Sequence, residues 1–110
     1  MDTAEFVILG SAQDGGLPHA GCLCANCRAS RQDWTKRRLP ASAGIVSGDQ
    51  LALIDTTSAF EEQYHSLWEH SARSNAFTGE RYGAPETVVL THAHTGHYTG
   101  LWQLDRSVLA

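Results

Sequence analysis

The segment that most restricts the fold is residues 86–90, a short and strongly β-favouring run that passes straight into Thr91-His92-Ala93-His94-Thr95-Gly96-His97. The run reads as a buried strand. His92 and His94 are two apart on a segment leaving that strand, so their side chains point to the same side. His97 follows at the start of a helix, expected over residues 98–109 because Leu101, Leu104 and Val108 fall at i, i+3 and i+7. Neutral imidazoles are favoured ligands of zinc and similar divalent ions, and three of them within six positions at a strand end can converge on one small volume. A lone histidine is more often an ordinary core or surface residue. Three at this spacing point to a metal centre built on His92, His94 and His97.

The rest of the chain alternates strand and helix patterns. Residues 5–10 read as a second buried strand, ended by Gly10 and the turn-rich Ser11-Ala12-Gln13-Asp14-Gly15-Gly16-Leu17-Pro18. That loop lacks both the lysine of a phosphate-binding P-loop and the G-x-G-x-x-G spacing of a dinucleotide fold, so it is read as a tight loop bringing backbone near other elements. Residues 43–47 and 51–55 are apolar runs separated by Gly48-Asp49, a hairpin signal. Ser58 and Glu61 match a capping box, which predicts a helix from Ala59 to about Ser74. Its stripe is Phe60, Tyr64, Leu67 and Trp68, and it leaves His65 and His70 in solvent. Residues 75–85, with two glycines and a proline, should form a loop. The alternation implies an α/β layered fold with mixed sheet order.

All three cysteines fall in Cys22-Leu23-Cys24-Ala25-Asn26-Cys27, a C-x-C-x-x-C cluster within a loop of about residues 14–30. Three thiolates this close can hold three corners of a tetrahedral zinc, with His19 or a distant residue as the fourth ligand. Structural zinc is the expectation. Ordinary buried cysteines and a redox pair of Cys24 with Cys27 are the alternatives, the second disfavoured by the absence of a helix-opening signal. Arg28, Arg31, Lys36, Arg37 and Arg38 then form a basic stretch around Trp34, read as a solvated connection rather than a contact for an anionic substrate.

The formal net charge of −4 provides no basic field for nucleic acid or anionic lipid. A nucleic-acid partner is not expected, a zinc ribbon is disfavoured because no second C-x-x-C half is present, and the expected partner is a small-molecule substrate. The acidic start MDTAEF and the short apolar run after it fit neither a secretory signal nor a membrane span. With the clustered cysteines, this suggests a cytoplasmic protein.

With these residues in view, THAHTGHYTGL resembles the H-x-H-x-D-H signature of the metallo-β-lactamase superfamily, and Leu53-Ile54-Asp55-Thr56 resembles its second landmark, a strand closed by an aspartate near the metals. The opening strand with Gly-Ser-Ala-Gln-Asp-Gly-Gly-Leu-Pro-His-Ala-Gly-Cys-Leu-Cys-Ala-Asn-Cys is similar to the group containing pyrroloquinoline quinone biosynthesis protein B and the cyclic phosphodiesterase of phosphonate breakdown. The resemblance implies an αββα sandwich, of which residues 1–110 supply about the N-terminal half of a single domain. It implies that His92 and His94 serve a first metal and His97 a second, that Asp55 supports them from behind, and that the three cysteines hold a structural zinc. It implies a metal-dependent hydrolase in which a metal-activated water attacks an ester or phosphodiester. The alternative is a weakly catalytic or non-catalytic carrier of a cofactor pathway. Gly96 departs from the signature, since the superfamily has an aspartate there that binds the second metal. One tightly held ion is therefore expected at the histidines, and Gly96→Asp is expected to raise occupancy of the second position. The superfamily's remaining ligands lie downstream of the motif, so the chain is expected to be part of a longer one.

Overall fold

The computed structural model describes residues 3–105. In chain order it contains β1 (Ala4–Gly10), α1 (Ala25–Gln32), β2 (Ser42–Ser47), β3 (Gln50–Ile54), α2 (Phe60–His70) and β4 (Thr87–Val89). Short 3-10 turns lie at Trp34–Lys36, Ala72–Ser74, Thr95–His97 and Thr99–Leu104. The strands form one sheet in the order β1-β2-β3-β4, antiparallel from β1 to β3 and parallel between β3 and β4. Two reversals of direction leave β1, β3 and β4 running the same way. Their C-terminal ends therefore share one edge of the sheet.

The hairpin forms as its turn signal predicts, with Gly48 at φ 61 in the first central position, where a type II′ turn needs glycine. α2 is the crossover that a parallel β3–β4 pair requires. Its stripe packs Phe60, Tyr64 and Leu67 against Leu9, Val46, Leu51 and Leu53, with Trp68 partly buried alongside. A Cβ at Gly44 would lie 2.5 Å from Leu67 Cδ1, so the helix approaches β2 more closely than any other residue at 44 would permit.

Several expectations are corrected. The capping box does not form: Ala59 is the N-cap without a side-chain bond, and the Thr57 hydroxyl instead accepts the Ala59 amide at 3.0 Å while donating to Gln63 Oε1 at 2.6 Å. A buried hydroxyl that meets both partners at once displaces the exposed Ser58. β1 and β4 are not buried strands, because both are sheet edges and, among the described residues, are covered on one face only. Phe6 and Ile8 remain 60% and 65% exposed, and Val89 47%. His65 is half-buried rather than solvated, with its Nδ1 2.7 Å from the Tyr82 hydroxyl and its ring against Trp68. Of the helix expected at residues 98–109, the described part is 3-10 turn through Leu104, and Val108 and Leu109 lie outside the described residues. Gly100 is fixed there by contact, since a Cβ would sit 2.8 Å from Phe60 Cβ.

Candidate metal centre

Three segments leave the shared edge: residues 11–18 after β1, Asp55 after β3, and residues 91–97 after β4. Asp55 has φ 66, a left-handed conformation that aspartate tolerates better than most residues, and it is 5% exposed. Its amide donates to Val89 O at 2.8 Å and the next amide, of Thr56, donates to His97 O at 2.9 Å, which ties the end of β3 to the histidine segment. The sharp turn aims the Asp55 carboxylate at the same segment. Oδ1 accepts the Thr91 amide at 2.8 Å, while Oδ2 accepts the Thr91 hydroxyl at 2.8 Å and lies 2.7 Å from His97 Nδ1. Burial works against ionisation of Asp55, but the Thr91 amide, His97 and the Thr91 hydroxyl outweigh it and hold the carboxyl below its ordinary range.

His97 is held from both sides. Its Nδ1 faces Asp55, and its Nε2 is 3.0 Å from Asp14 Oδ1. The Asp55 hydrogen bond raises its pKa above the ordinary histidine value, against burial and with help from the Asp14 charge. A histidine whose Nδ1–H is fixed by a buried carboxylate presents Nε2 outward, the usual arrangement behind a metal-binding imidazole. His92 lies beside it, ring centroids 3.9 Å apart, and the His94 ring lies 4.7 Å from that of His92, edge to face. The structure thus gathers the three predicted histidines, with His92 and His94 exposed. Among the described residues, however, only the cysteine group has donor atoms that all lie within 4.8 Å of one another.

The cysteine cluster is the more assembled of the two sites. Cys22, Cys24 and Cys27 bring their sulfurs within 4.8 Å of one another, close to the span that three thiolates on one zinc, each at about 2.3 Å, require. α1, which the sequence reading did not anticipate, begins here with Cys24 as its N-cap. The Cys24 sulfur accepts the Cys27 amide at 3.4 Å, an orphan donor of the first turn. That amide, then the thiols of Cys22 and Cys27, lower the Cys24 pKa to about 7. Cys27 is buried. The His19 amide donates to its sulfur at 3.3 Å, but burial and the neighbouring sulfurs outweigh that bond and push its pKa up. The His19 imidazole does not join the sulfurs, and its Nδ1 is 2.6 Å from Gln13 Nε2.

The basic stretch proves structural. Arg31 donates to the carbonyls of Cys22 at 2.7 Å and His19 at 2.9 Å, and Arg28 to that of Leu23 at 2.7 Å, so α1 clasps the cysteine loop. Arg37 pairs with Glu62 and lies over the Trp34 ring. Asp14, which meets His97 Nε2 at 3.0 Å, is a neighbour of the histidines that sequence reasoning did not single out. No helix among the described residues is long and apolar enough to cross a membrane.

No protein-family profile matches the chain. Among curated proteins it is 30% identical over 98 residues to coenzyme PQQ synthesis protein B of Rhodopseudomonas palustris (strain BisB5), covering 88% of this chain and 31% of that protein. It is 31% identical over 109 residues to the protein of the same name from Xanthomonas euvesicatoria pv. vesicatoria (strain 85-10), covering 94% and 34%. Among solved structures, a diphosphatase of the PhnP family superposes with a TM-score of 0.68 at 34% identity, covering 93% of this chain and 34% of that one. Zinc-bound PqqB from Methylobacterium extorquens superposes with a TM-score of 0.67 at 25% identity, covering 96% and 37%. The chain spans about a third of the length of the relatives it matches.

Proposed function

We propose that this chain, which is similar in sequence and fold to the metallo-β-lactamase-fold proteins PqqB and the PhnP-family diphosphatase, carries the metal-binding end of a metal-dependent hydrolase acting on an ester or phosphodiester of a small molecule. The observation that carries this reading is the Asp55–His97 contact, which orients one imidazole beside His92 and His94 at the open edge of the sheet. His92, His94 and His97 are the proposed ligands, and a divalent ion such as zinc would supply a water of pKa near 7, available as hydroxide at neutral pH. Asp55 fixes the His97 tautomer, and Thr91 fixes Asp55. Cys22, Cys24 and Cys27 are proposed to hold a structural zinc, since thiolates that saturate an ion leave no position for water. The diphosphatase among the solved relatives supports phosphorus chemistry at the site, since a diphosphate linkage, like a phosphodiester, is hydrolysed by attack at phosphorus. Three free cysteines in one cluster support a reducing, cytoplasmic setting, and the net charge of −4 favours a small-molecule partner over nucleic acid.

A second reading is a binding or carrier protein of the coenzyme pathway for which the curated relatives are named. Gly96 favours it, because that position offers no carboxylate. The two part on one experiment: metal analysis of the intact protein, with turnover measured on a panel of phosphodiesters, lactones and thioesters. Bound metal with turnover supports the hydrolase. Bound metal without turnover supports the carrier, and absence of metal at the histidines removes the hydrolase.

A further inference from the structure

Gly96 is where the chain departs from the H-x-H-x-D-H signature, and the structure locates what fills the vacated volume. The φ of Gly96 is not positive, unlike those of Gly16, Gly21, Gly48 and Gly83, so glycine is not there for its backbone freedom. It is there for space. A Cβ built on residue 96 would stand 2.5 Å from both Cβ and Oδ2 of Asp14, inside the volume of that side chain. The same carboxylate reaches His97, with Oδ1 3.0 Å from Nε2. Two donors that share one ion, each about 2.1 Å from it, cannot be much more than about 4 Å apart. The Asp14–His97 separation lies within that limit.

We propose that Asp14, from the loop after β1, is the metal-binding carboxylate of this centre, delivered across the sheet edge into the place that a side chain at position 96 would occupy. The topology makes this possible, because β1 and β4 end on the same edge, and the loop that follows Gly10 needs only four residues to reach the histidine segment. Gly15 and Gly16 let the chain turn back immediately afterwards, Gly16 at φ 77. Asp14 keeps its side chain 47% exposed, open to an arriving cation. An anionic ligand beside His97 restores the negative charge that a glycine at 96 removes. This replaces the expectation of a centre lacking a carboxylate. It also reverses the expectation for Gly96→Asp, which now collides with Asp14 instead of adding a ligand.

The inference rests on the histidines binding metal, and the test separates the two. Zinc and cobalt(II) uptake at the histidine site is measured by competition titration on the intact protein, with the cysteine zinc counted separately. The proteins are wild type, Asp14→Asn, Asp14→Ala, Gly96→Asp and the double variant Asp14→Gly/Gly96→Asp. Even outer-shell partners of a metal ligand are worth 10- to 100-fold in affinity, so loss of the carboxylate should cost about 100-fold in Asp14→Asn and Asp14→Ala. Gly96→Asp alone should not improve binding, and the double variant should recover most of the loss. Asn is nearly isosteric, which keeps the comparison valid if Asp14→Ala folds poorly. Wild-type protein with no metal at the histidines sinks the metal centre itself. Metal bound with unchanged affinity in Asp14→Asn overturns only the role of Asp14, leaving it an ion pair that ties a loop down.

Discussion

Asp55→Asn tests whether the carboxylate behind His97 sets the ligand's proton position or only holds the fold. The substitution preserves shape, and asparagine accepts the left-handed conformation at φ 66. Hydrogen-bond donors decide the orientation of the new amide. The Thr91 amide can only donate, so the amide oxygen must occupy the place of Oδ1, 2.8 Å from it. The NH2 group then occupies the place of Oδ2, facing the Thr91 hydroxyl and His97 Nδ1 at 2.8 and 2.7 Å. The hydroxyl can turn to accept. His97 Nδ1 can answer an N–H donor only with its lone pair, which moves the ring proton to Nε2 and blocks the nitrogen meant for the metal. Losses of this kind cost about 10- to 100-fold in affinity, or about 1.4–2.7 kcal/mol. Exchange of charge-assisted for neutral hydrogen bonds at a buried site should cost the metal-free protein about 1–3 kcal/mol as well. Zinc competition titration gives the first number, urea unfolding the second, and long-range nitrogen–proton NMR of His97 reads the tautomer directly. A variant that keeps Nδ1–H on His97 and wild-type zinc affinity would falsify the assignment of Asp55.

Cys24→Ser should release zinc from the cysteine cluster and lower the melting temperature, while metal uptake at the histidines stays intact in the folded fraction; loss of histidine-site metal with unchanged stability would contradict two separate sites. In zinc-stripped protein at pH 8, Cys24, exposed and with a pKa of about 7, should be alkylated first, and buried Cys27, whose pKa is raised, last. Mass spectrometry of the labelled peptide reads the order, and added zinc should protect all three. Leu67→Ala should cost about 2–5 kcal/mol by leaving a cavity, and Gly44→Ala about 1–3 kcal/mol by crowding Leu67. In the double variant the new methyl enters the space that Leu67 vacates, so denaturant unfolding should give a loss smaller than the sum by about 0.5 kcal/mol or more. Simple additivity would show that the approach of α2 to β2 does not run through this pair.

What was legible in the sequence depended on signals that act over a few residues. The Gly48 turn, the Phe60-Tyr64-Leu67 stripe and the strand that delivers His92 are set by local period and turn chemistry, and they form where expected. Burial of whole strands was misjudged because an apolar run does not say how many of its faces are covered, and among the described residues Phe6 and Ile8 lie outside the core that α2 builds on the sheet. The helix at Cys24 was missed because a thiol served as its cap, a residue type not among the usual N-cap signals. The centre itself shows the limit most clearly. A glycine at 96 and an aspartate at 14 are 82 positions apart in the chain, and each taken alone reads as a lost ligand and a loop residue. They become one statement only when β1 and β4 are known to end on the same edge, since one side chain then stands in the volume the other lacks. A missing motif residue is therefore weak evidence for a lost site until the loops at the same end of the sheet have been searched for the group that replaces it.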